Sequence, residues 1–207
     1  MDAVLQLDRQ LTLWINHHHT PALDLLFRGV SRLGDAGVAW LIVVALLLLF
    51  GARRDRIIAL IFVAGLIATE FLAMPVLRDL WYRPRPFVYM ESIRTLGPEW
   101  HRPSFPSAHA YLWGQAALLF GVAYPRFKWP LIVLTVLSLY SRPYVGNHHV
   151  IDVIAGVAFG LGAGWACLAA ANRLVVLQHE AAEEPEAEPQ LVTDGDLGRL
   201  LHLTSRR

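Results

Sequence analysis

Five long apolar segments restrict the chain to one class of fold. They cover residues 36–50, 57–77, 108–124, 129–140 and 150–172 of the 207. A helix that crosses the hydrocarbon core of a bilayer needs about 20 apolar residues, and fewer where flanking side chains reach the interface. A hydrophobic fraction of 55% and a mean hydropathy of +0.41 also lie above the range of soluble proteins. The sequence therefore predicts an all-α, multi-pass transmembrane helical bundle with five spans, six being the alternative.

The two ends of the chain differ from this apolar centre. Residues 1–35 mix apolar side chains such as Leu11 and Trp14 with polar ones, which predicts an amphipathic helical segment lying in the membrane interface. Residues 36–177 form the predicted transmembrane domain. Residues 178–207 are acidic and contain proline, a composition typical of a disordered tail.

Composition also narrows the possible partners. The net charge is only +1 and the basic residues are spread along the chain, so we expect no nucleic-acid partner. Cys167 is the only cysteine, which rules out an intramolecular disulfide and a cysteine-based metal site. The run His17, His18 and His19 could bind a metal ion, but we expect it to be solvated surface.

Three polar clusters interrupt the apolar segments, at residues 77–87, 102–109 and 141–152. If the five spans alternate across the membrane, the first two clusters share one loop. The third cluster then lies on the same face, because the two spans between them return the chain to that side. Charged side chains from all three can meet in one pocket at the membrane surface; they are Arg78, Arg85, His109, Arg142 and His148.

The first cluster presents cations on a stiff loop. Arg78 falls in the last turn of a predicted helix, while Arg83 and Arg85 each precede a proline and are held extended. A stiff loop keeps a guanidinium aimed, and its planar fork matches two phosphate oxygens. The alternative is a set of interfacial arginines whose charged ends reach water.

The second cluster forms a helix start. Ser107 is expected to cap a helix that begins at Ala108, so free backbone N–H groups and the positive end of the helix dipole form an anion site. His109 lies in the first turn, within reach of a bound anion. The alternative for His109 is a purely structural role.

The third cluster precedes the last apolar segment. A spacing of four places Asp152 over His148 and turns His149 away, so we expect Asp152 to accept a hydrogen bond from Nδ1 of His148 and leave Nε2 as a nucleophile. The alternative is a pair that merely caps the helix. Further along the segment, the row Gly156, Gly160 and Gly164 predicts close approach of another helix.

Together the three clusters resemble the signature of the type 2 phosphatidic acid phosphatase (PAP2) superfamily: Lys-x6-Arg-Pro, Pro-Ser-Gly-His and Ser-Arg-x5-His-x3-Asp. Arg78 and Arg85-Pro86 match the first motif with arginine for lysine. The sequence from Pro106 to His109 matches the second with alanine for glycine at Ala108, and Ser141-Arg142, His148 and Asp152 match the third without change. The resemblance covers about residues 36 to 172.

The resemblance implies a metal-independent, cofactor-free phosphohydrolase of the membrane. It implies that His148 attacks phosphorus, Asp152 orients it and His109 protonates the leaving oxygen. The implied phosphate-binding residues are Arg78, Arg85, Ser107, Ala108 and Arg142. It also implies a site on the periplasmic or extracellular face of a bacterial inner membrane. The distribution of basic residues gives only a slight positive-inside bias, so this placement rests mainly on the resemblance.

The implied substrate is a lipid phosphate or diphosphate held among membrane lipids: polyprenyl (undecaprenyl) diphosphate, phosphatidate, phosphatidylglycerol phosphate and lipid A phosphate all fit. The alternatives are a phosphotransferase of the same superfamily, a vanadium-dependent haloperoxidase and a non-catalytic scaffold or transporter.

Glu70 is costly in lipid but is expected to face a bundle partner or interface water. Tyr144, Asn147 and His149 are further candidates for the pocket wall.

Overall fold

The computed structural model describes residues 2–34, 37–99 and 101–183, and their side chains from residue 3 to residue 174. Every regular element within these ranges is a helix, with no strand, which confirms the all-α prediction. The first half of the chain forms α1 (Asp2–His17), α2 (Pro21–Gly34), α3 (Val38–Phe50) and α4 (Arg53–Ala68). A π-helical turn, Thr69–Ala73, then leads into α5 (Met74–Leu80) and the short α6 (Pro86–Tyr89). The second half forms α7 (Ala108–Ala123), a 3₁₀ turn at Pro125–Phe127, α8 (Lys128–Tyr144) and α9 (Val150–Glu183).

Helices occupy all five apolar segments, but they differ in length. Among the described residues, two helices are long and apolar enough to cross a membrane: the continuous helix Arg53–Leu80 and the stretch Val150–Leu174 of α9. The pair α2 and α3 passes the same test only as one span bent by 50°. Helices α7 and α8 are shorter, with 16 and 17 residues. The structure thus has at least two candidate spans, and the count of five stays a prediction.

Aromatic rings fill the core between α3, α4 and α7. The Trp40 ring stacks on Phe120 with 5.5 Å between centroids, and Phe62 lies 4.9 Å from the same phenyl ring. Trp113 meets Trp40 edge-on at 5.0 Å. All four side chains are buried. Because aromatic pairs prefer such offset and edge-on geometries, this cluster fixes the three helices relative to one another.

Helices α7 and α9 touch along the predicted glycine row. A methyl group at Gly156 would lie 2.4 Å from the carbonyl oxygen of Ser107, and one at Gly160 would lie 2.2 Å from that of Tyr111. No side chain fits at such distances, so only glycine permits this approach. The close packing expected from the sequence is confirmed. It brings the first turns of the two helices together, where the Ser107 N–H donates to the carbonyl oxygen of Asp152 at 3.0 Å.

The N-terminal segment folds as two helices with a polar face turned inward. Asp8, Thr12 and Asn16, which lie on one face of α1, are buried. Large apolar side chains of the same helix, including Leu11 and Trp14, are exposed. The predicted amphipathic segment in the membrane interface stays a prediction.

The C-terminal helix runs further than expected. Helix α9 continues to Glu183 and so includes the first residues of the segment predicted to be disordered. Alanine and glutamate, which dominate this stretch, are strong helix formers, and that preference accounts for the difference. The rest of the predicted tail, residues 184–207, lies outside the described residues.

Gly160→Ala should destabilise the bundle. The added methyl group would meet the Tyr111 carbonyl oxygen at 2.2 Å, so α7 and α9 must separate. Overpacking of this kind costs about 1–3 kcal/mol, and we expect a thermal unfolding midpoint several degrees lower in detergent. Gly162→Ala is the matched control, because nothing lies within 4 Å of a methyl group there. Equal midpoints for the two variants would contradict the close contact.

Candidate active site

The three polar clusters meet in one cavity of about 260 Å³. Its walls are Glu70, Arg78, Arg85, Arg102, Pro103, Pro106, Ala108, His109, Arg142 and His148. The expected convergence of distant segments is therefore found. Six of the eight predicted site residues line this cavity, while the other two, Ser107 and Asp152, are buried behind it.

His148 presents one ring nitrogen to the cavity. Its Nδ1 lies 2.8 Å from the carbonyl oxygen of Ser104, and its Nε2 lies 3.2 Å from Nη1 of Arg85. A carbonyl oxygen only accepts hydrogen bonds, so Nδ1 must carry the hydrogen. The Nε2 atom then keeps its lone pair, as a nucleophile requires.

The surroundings of His148 keep its imidazole neutral. Burial lowers its pKa to about 3, because a charged ring would lose its hydration. The Asp152 carboxylate opposes this change in pKa, whereas the positive charges of Arg85 and Arg142 add to it. At physiological pH the ring is therefore unprotonated.

The hydrogen bond predicted from Nδ1 of His148 to Asp152 is wrong. Asp152 Oδ2 lies 3.8 Å from Nδ1 of His148, too far for a hydrogen bond, and instead accepts from the backbone N–H of His149 at 2.9 Å. The same oxygen lies 3.1 Å from Nδ1 of His149. Helix α9 begins only at Val150, so the two histidines precede it and the helical spacing of four does not apply. The Ser104 carbonyl oxygen accepts the hydrogen bond from Nδ1 of His148 that was expected to go to Asp152.

Backbone carbonyl groups hold Arg85 at the cavity wall. Its Nε donates to the carbonyl oxygen of Arg102 at 2.9 Å, and its Nη1 donates to that of Asn147 at 3.0 Å. Burial lowers the pKa of Arg85 to about 10, while Asp152 raises this pKa and Arg78 lowers it. The side chain nevertheless remains cationic at neutral pH.

The other two predicted arginines reach the cavity from different helices. Arg142 is buried in the last turn of α8, and its Nη1 donates to the Ser31 hydroxyl of α2 at 2.6 Å. Arg78 lies in the last turn of α5, as expected, where it pairs with Glu70 at 3.2 Å.

Glu70 was not expected to belong to the site, yet it lies in the π-helical turn and lines the same cavity. Such turns are frequent at functional sites.

The start of α7 has the predicted cap. The Ser107 hydroxyl accepts from the backbone N–H of Ala110 at 3.5 Å, and the helix begins at Ala108. His109 follows in the first turn and packs against the end of α2, because a methyl group at Gly34 would lie only 2.6 Å from its Cδ2 atom. The cap confirms the expected role of Ser107 at the helix start; its side chain does not line the cavity.

Tyr144, Asn147 and His149, the three further candidates for the cavity wall, make hydrogen bonds outside the cavity. Tyr144 donates to Asp24 at 2.7 Å, and Asn147 contributes the carbonyl oxygen that binds Arg85. His149 lies between Asp152 and the hydroxyl of Tyr89, 2.7 Å from its Nε2. None of them lines the cavity.

The histidine run forms no common site. His17 Nε2 meets the carbonyl oxygen of Ser92, and His18 Nδ1 meets that of Trp14. Over the part of the chain that the structure describes, no group of three or more histidine, cysteine or acidic side chains is placed to hold a metal ion.

Besides Glu70, sequence reasoning assigned no role in the site to four residues that contribute to it. Arg102 lines the cavity. Ser104 acts through its backbone, which no motif reveals. Arg83 belongs to the first cluster but binds Asp152 and Asp8 instead of lining the cavity. Asp8 lies far away in the chain, in α1, and no local signal connects it with the site.

Comparisons with known proteins agree with this fold. The sequence profile of the PAP2 superfamily matches residues 58–176. An undecaprenyl-diphosphatase of Sulfolobus acidocaldarius is 34% identical, over 70% of this chain and 69% of that protein. A lipid A 4'-phosphatase of Porphyromonas gingivalis is 26% identical, over 79% and 72%. The crystal structure of Aquifex aeolicus LpxE superimposes with a TM-score of 0.64 at 25% identity, covering 77% of this chain and 93% of that one.

The fold and the cavity define a helical integral membrane protein with a buried histidine facing clustered arginines. The chain belongs to the PAP2 superfamily. It is a phosphatase of that family, a hydrolase of phosphoric monoesters.

His148 should stay neutral over the whole physiological range. A group whose pKa is lowered on folding loses its proton far below the usual midpoint, so its ring signals should not shift between pH 5 and pH 8. NMR of the protein with isotope-labelled histidine, with His148→Gln to assign the signal, tests this. Titration of that signal with a midpoint near its ordinary value would contradict the buried, neutral ring.

Glu70→Gln should tighten the binding of inorganic phosphate. The variant removes the carboxylate that competes for Arg78, and a half-exposed pair of this kind is worth up to about 1 kcal/mol, or roughly a fivefold change. We expect the product-inhibition constant of phosphate to fall about two- to fivefold. Asp79→Asn removes an exposed negative charge beside Arg78 without touching the cavity and serves as control. An unchanged constant in Glu70→Gln would show that Glu70 does not compete.

Proposed function

We propose that this protein hydrolyses lipid phosphates or diphosphates through a phosphohistidine formed on His148, without a metal ion. The observation that carries the proposal is the buried ring of His148, whose Nε2 faces a cavity lined by four arginines. A neutral nucleophile opposite fixed cations is the arrangement that phosphoryl transfer needs.

An apolar cavity beside the charged one supports a lipid substrate. It encloses about 340 Å³ between α3, α4 and α7 and is lined by side chains such as Trp40, Leu41 and Leu66. Glu70, Ala108 and His109 line both cavities. A phosphate group can therefore lie among the arginines while its hydrocarbon chain extends into the apolar cavity.

In the first step, Nε2 of His148 attacks phosphorus and the bond to the leaving oxygen breaks. His109 lies where the two cavities meet, so it is placed to give that oxygen its proton. The new N–P bond makes the imidazole cationic. The Ser104 carbonyl oxygen and the nearby Asp152 carboxylate stabilise this charge.

In the second step, His109 takes a proton from water and the oxygen of that water attacks phosphorus. The N–P bond breaks, and His148 regains its lone pair while inorganic phosphate leaves. The same residue acts as acid and then as base, which returns the enzyme to its starting protonation state.

Arginines supply the charge stabilisation that a metal ion gives in other phosphatases. Arg78, Arg85 and Arg142 face the cavity from three separate segments and can surround the three non-bridging oxygens. Two of them are held by hydrogen bonds that exist before any substrate binds. Such preorganised donors lower the barrier without a reorganisation cost.

The named relatives support two substrate classes, polyprenyl diphosphates and lipid A phosphates. We propose residues 36–177 as the catalytic membrane domain, with the cavity opening at the periplasmic or extracellular face of a bacterial inner membrane. This orientation rests on the resemblance to the family and on the slight excess of basic residues on the opposite face.

His148→Ala should lower turnover by at least about 10³-fold, because it removes the nucleophile of a covalent mechanism. Release of phosphate from undecaprenyl diphosphate, lipid A, phosphatidate and phosphatidylglycerol phosphate in detergent measures the effect. The active substrate should also leave an acid-labile phosphoryl group on the wild-type protein in rapid-quench experiments, and none on the variant.

Activity of the wild type should be unchanged by EDTA. Near-normal turnover of His148→Ala would overturn the nucleophile, and loss of activity with EDTA that returns on adding a divalent cation would overturn the metal-independent mechanism. Phosphate release from none of the four lipids would overturn the substrate class.

A further inference from the structure

The polar face of α1 points into the protein instead of toward solvent. Asp8, Thr12 and Asn16 follow one another at intervals of four and are all buried. A helix that only rested on a membrane would leave its polar side in water. Buried polar groups must find partners, so these side chains bind something specific inside the protein.

Their partners are the two ends of the segment that carries His148. The Asp8 carboxylate accepts from the backbone N–H of Ile151 at 2.9 Å, and the Thr12 hydroxyl accepts from that of Val150 at 3.2 Å. On the other side of His148, the Asn16 amide donates to the carbonyl oxygen of Tyr144 at 2.9 Å. Helix α1 thus caps the start of α9 and fixes the loop before it.

Arg83 connects Asp8 to Asp152. Its Nη1 donates to Oδ1 of Asp152 at 2.7 Å, and its Nη2 pairs with Oδ2 of Asp8. Both carboxylates are fully buried and the guanidinium nearly so. Burial alone would lower the pKa of Arg83, but the two carboxylates raise it above its ordinary value, so the cation persists. Two carboxylates around one guanidinium leave this cluster with a formal charge of −1.

This negative cluster lies behind the ring of His148. Asp152 Oδ2 is 3.8 Å from Nδ1, on the opposite side of the ring from the Nε2 that faces the cavity. The ring becomes cationic when Nε2 bonds to phosphorus. An opposite charge at this distance, shielded from water, favours the cationic ring more than the neutral one.

We propose that α1 is part of the phosphoryl-transfer machinery, with Asp8 and Arg83 as positioning residues that hold Asp152 and the loop of His148 and set the charge behind the ring. The proposal rests on the phosphohistidine mechanism proposed above. It concerns a helix outside the matched region, residues 58–176, and residues that touch neither substrate nor cavity.

Asp8→Asn tests the proposal in the full-length protein in detergent. The variant keeps the size of the side chain and removes its charge. We expect kcat, and the rate of phosphoenzyme formation in rapid quench, to fall about 10- to 100-fold. KM and the inhibition constant of inorganic phosphate should stay within about threefold, because the arginines that hold phosphate are unchanged.

Asp55→Asn is the matched control. Asp55 also lies near an arginine, Arg54, at 3.9 Å and accepts from the Tyr124 hydroxyl at 2.7 Å, but it belongs to α4 and contacts neither α1 nor the His148 segment. We expect its kcat to stay within about twofold of the wild type.

If Asp8→Asn does not fold, Thr12→Val replaces it in the test. This variant removes the acceptor for the Val150 N–H and the donor to the Asp8 carbonyl oxygen, and we expect kcat to fall about three- to tenfold with the phosphate inhibition constant unchanged.

Wild-type kcat in a folded Asp8→Asn, or in Thr12→Val where Asp8→Asn does not fold, would overturn the proposal. A parallel loss in kcat and phosphate affinity would do the same, because it would reveal a structural role only. His148→Ala separates this result from the mechanism itself. If that variant is inactive while Asp8→Asn is normal, only the role of α1 fails; if it is active, the phosphohistidine fails first.

Discussion

The contact between α7 and α9 is the interaction on which the site depends. Its glycine row lets the helix backbones approach until a single methyl group would not fit, and the bond from the Ser107 N–H to the Asp152 carbonyl oxygen fixes their register. One helix start carries His109, and the other, at Val150, begins two residues after His148. Loss of this contact would move the two histidines apart without changing either of them.

Charged groups in an apolar bundle must be satisfied before substrate arrives, and the site shows how this is done. Arg85 is held by two backbone carbonyl groups, Arg142 by a serine hydroxyl and His148 by the carbonyl oxygen of Ser104. These acceptors orient the side chains, and the cost of ordering them is met during folding.

The spacing of the motifs in the sequence was sufficient to locate the cavity. The motif residues lie at helix ends, and packing of the apolar segments brings these ends together. Arg78, Arg85, His109, Arg142 and His148 were all predicted on this basis and all line it. The pairing inside the third cluster was not predictable in the same way. It depends on whether the helix starts before or after His148, and helix boundaries are the part of a fold that a sequence specifies least. The link from Asp8 to Asp152 depends on tertiary packing alone.

Charge balance in the cavity supports a phosphomonoester more than a diester. Its walls carry four arginines and one glutamate, a formal excess of three positive charges before His109, the proton donor of the proposed mechanism, is counted. A phospholipid diester brings only one negative charge and would leave most of this excess uncompensated. A terminal phosphate brings about two, and a diphosphate brings more. Glu70 offsets part of the positive charge through its pairing with Arg78, and a more highly charged ligand competes better with Glu70 for that arginine.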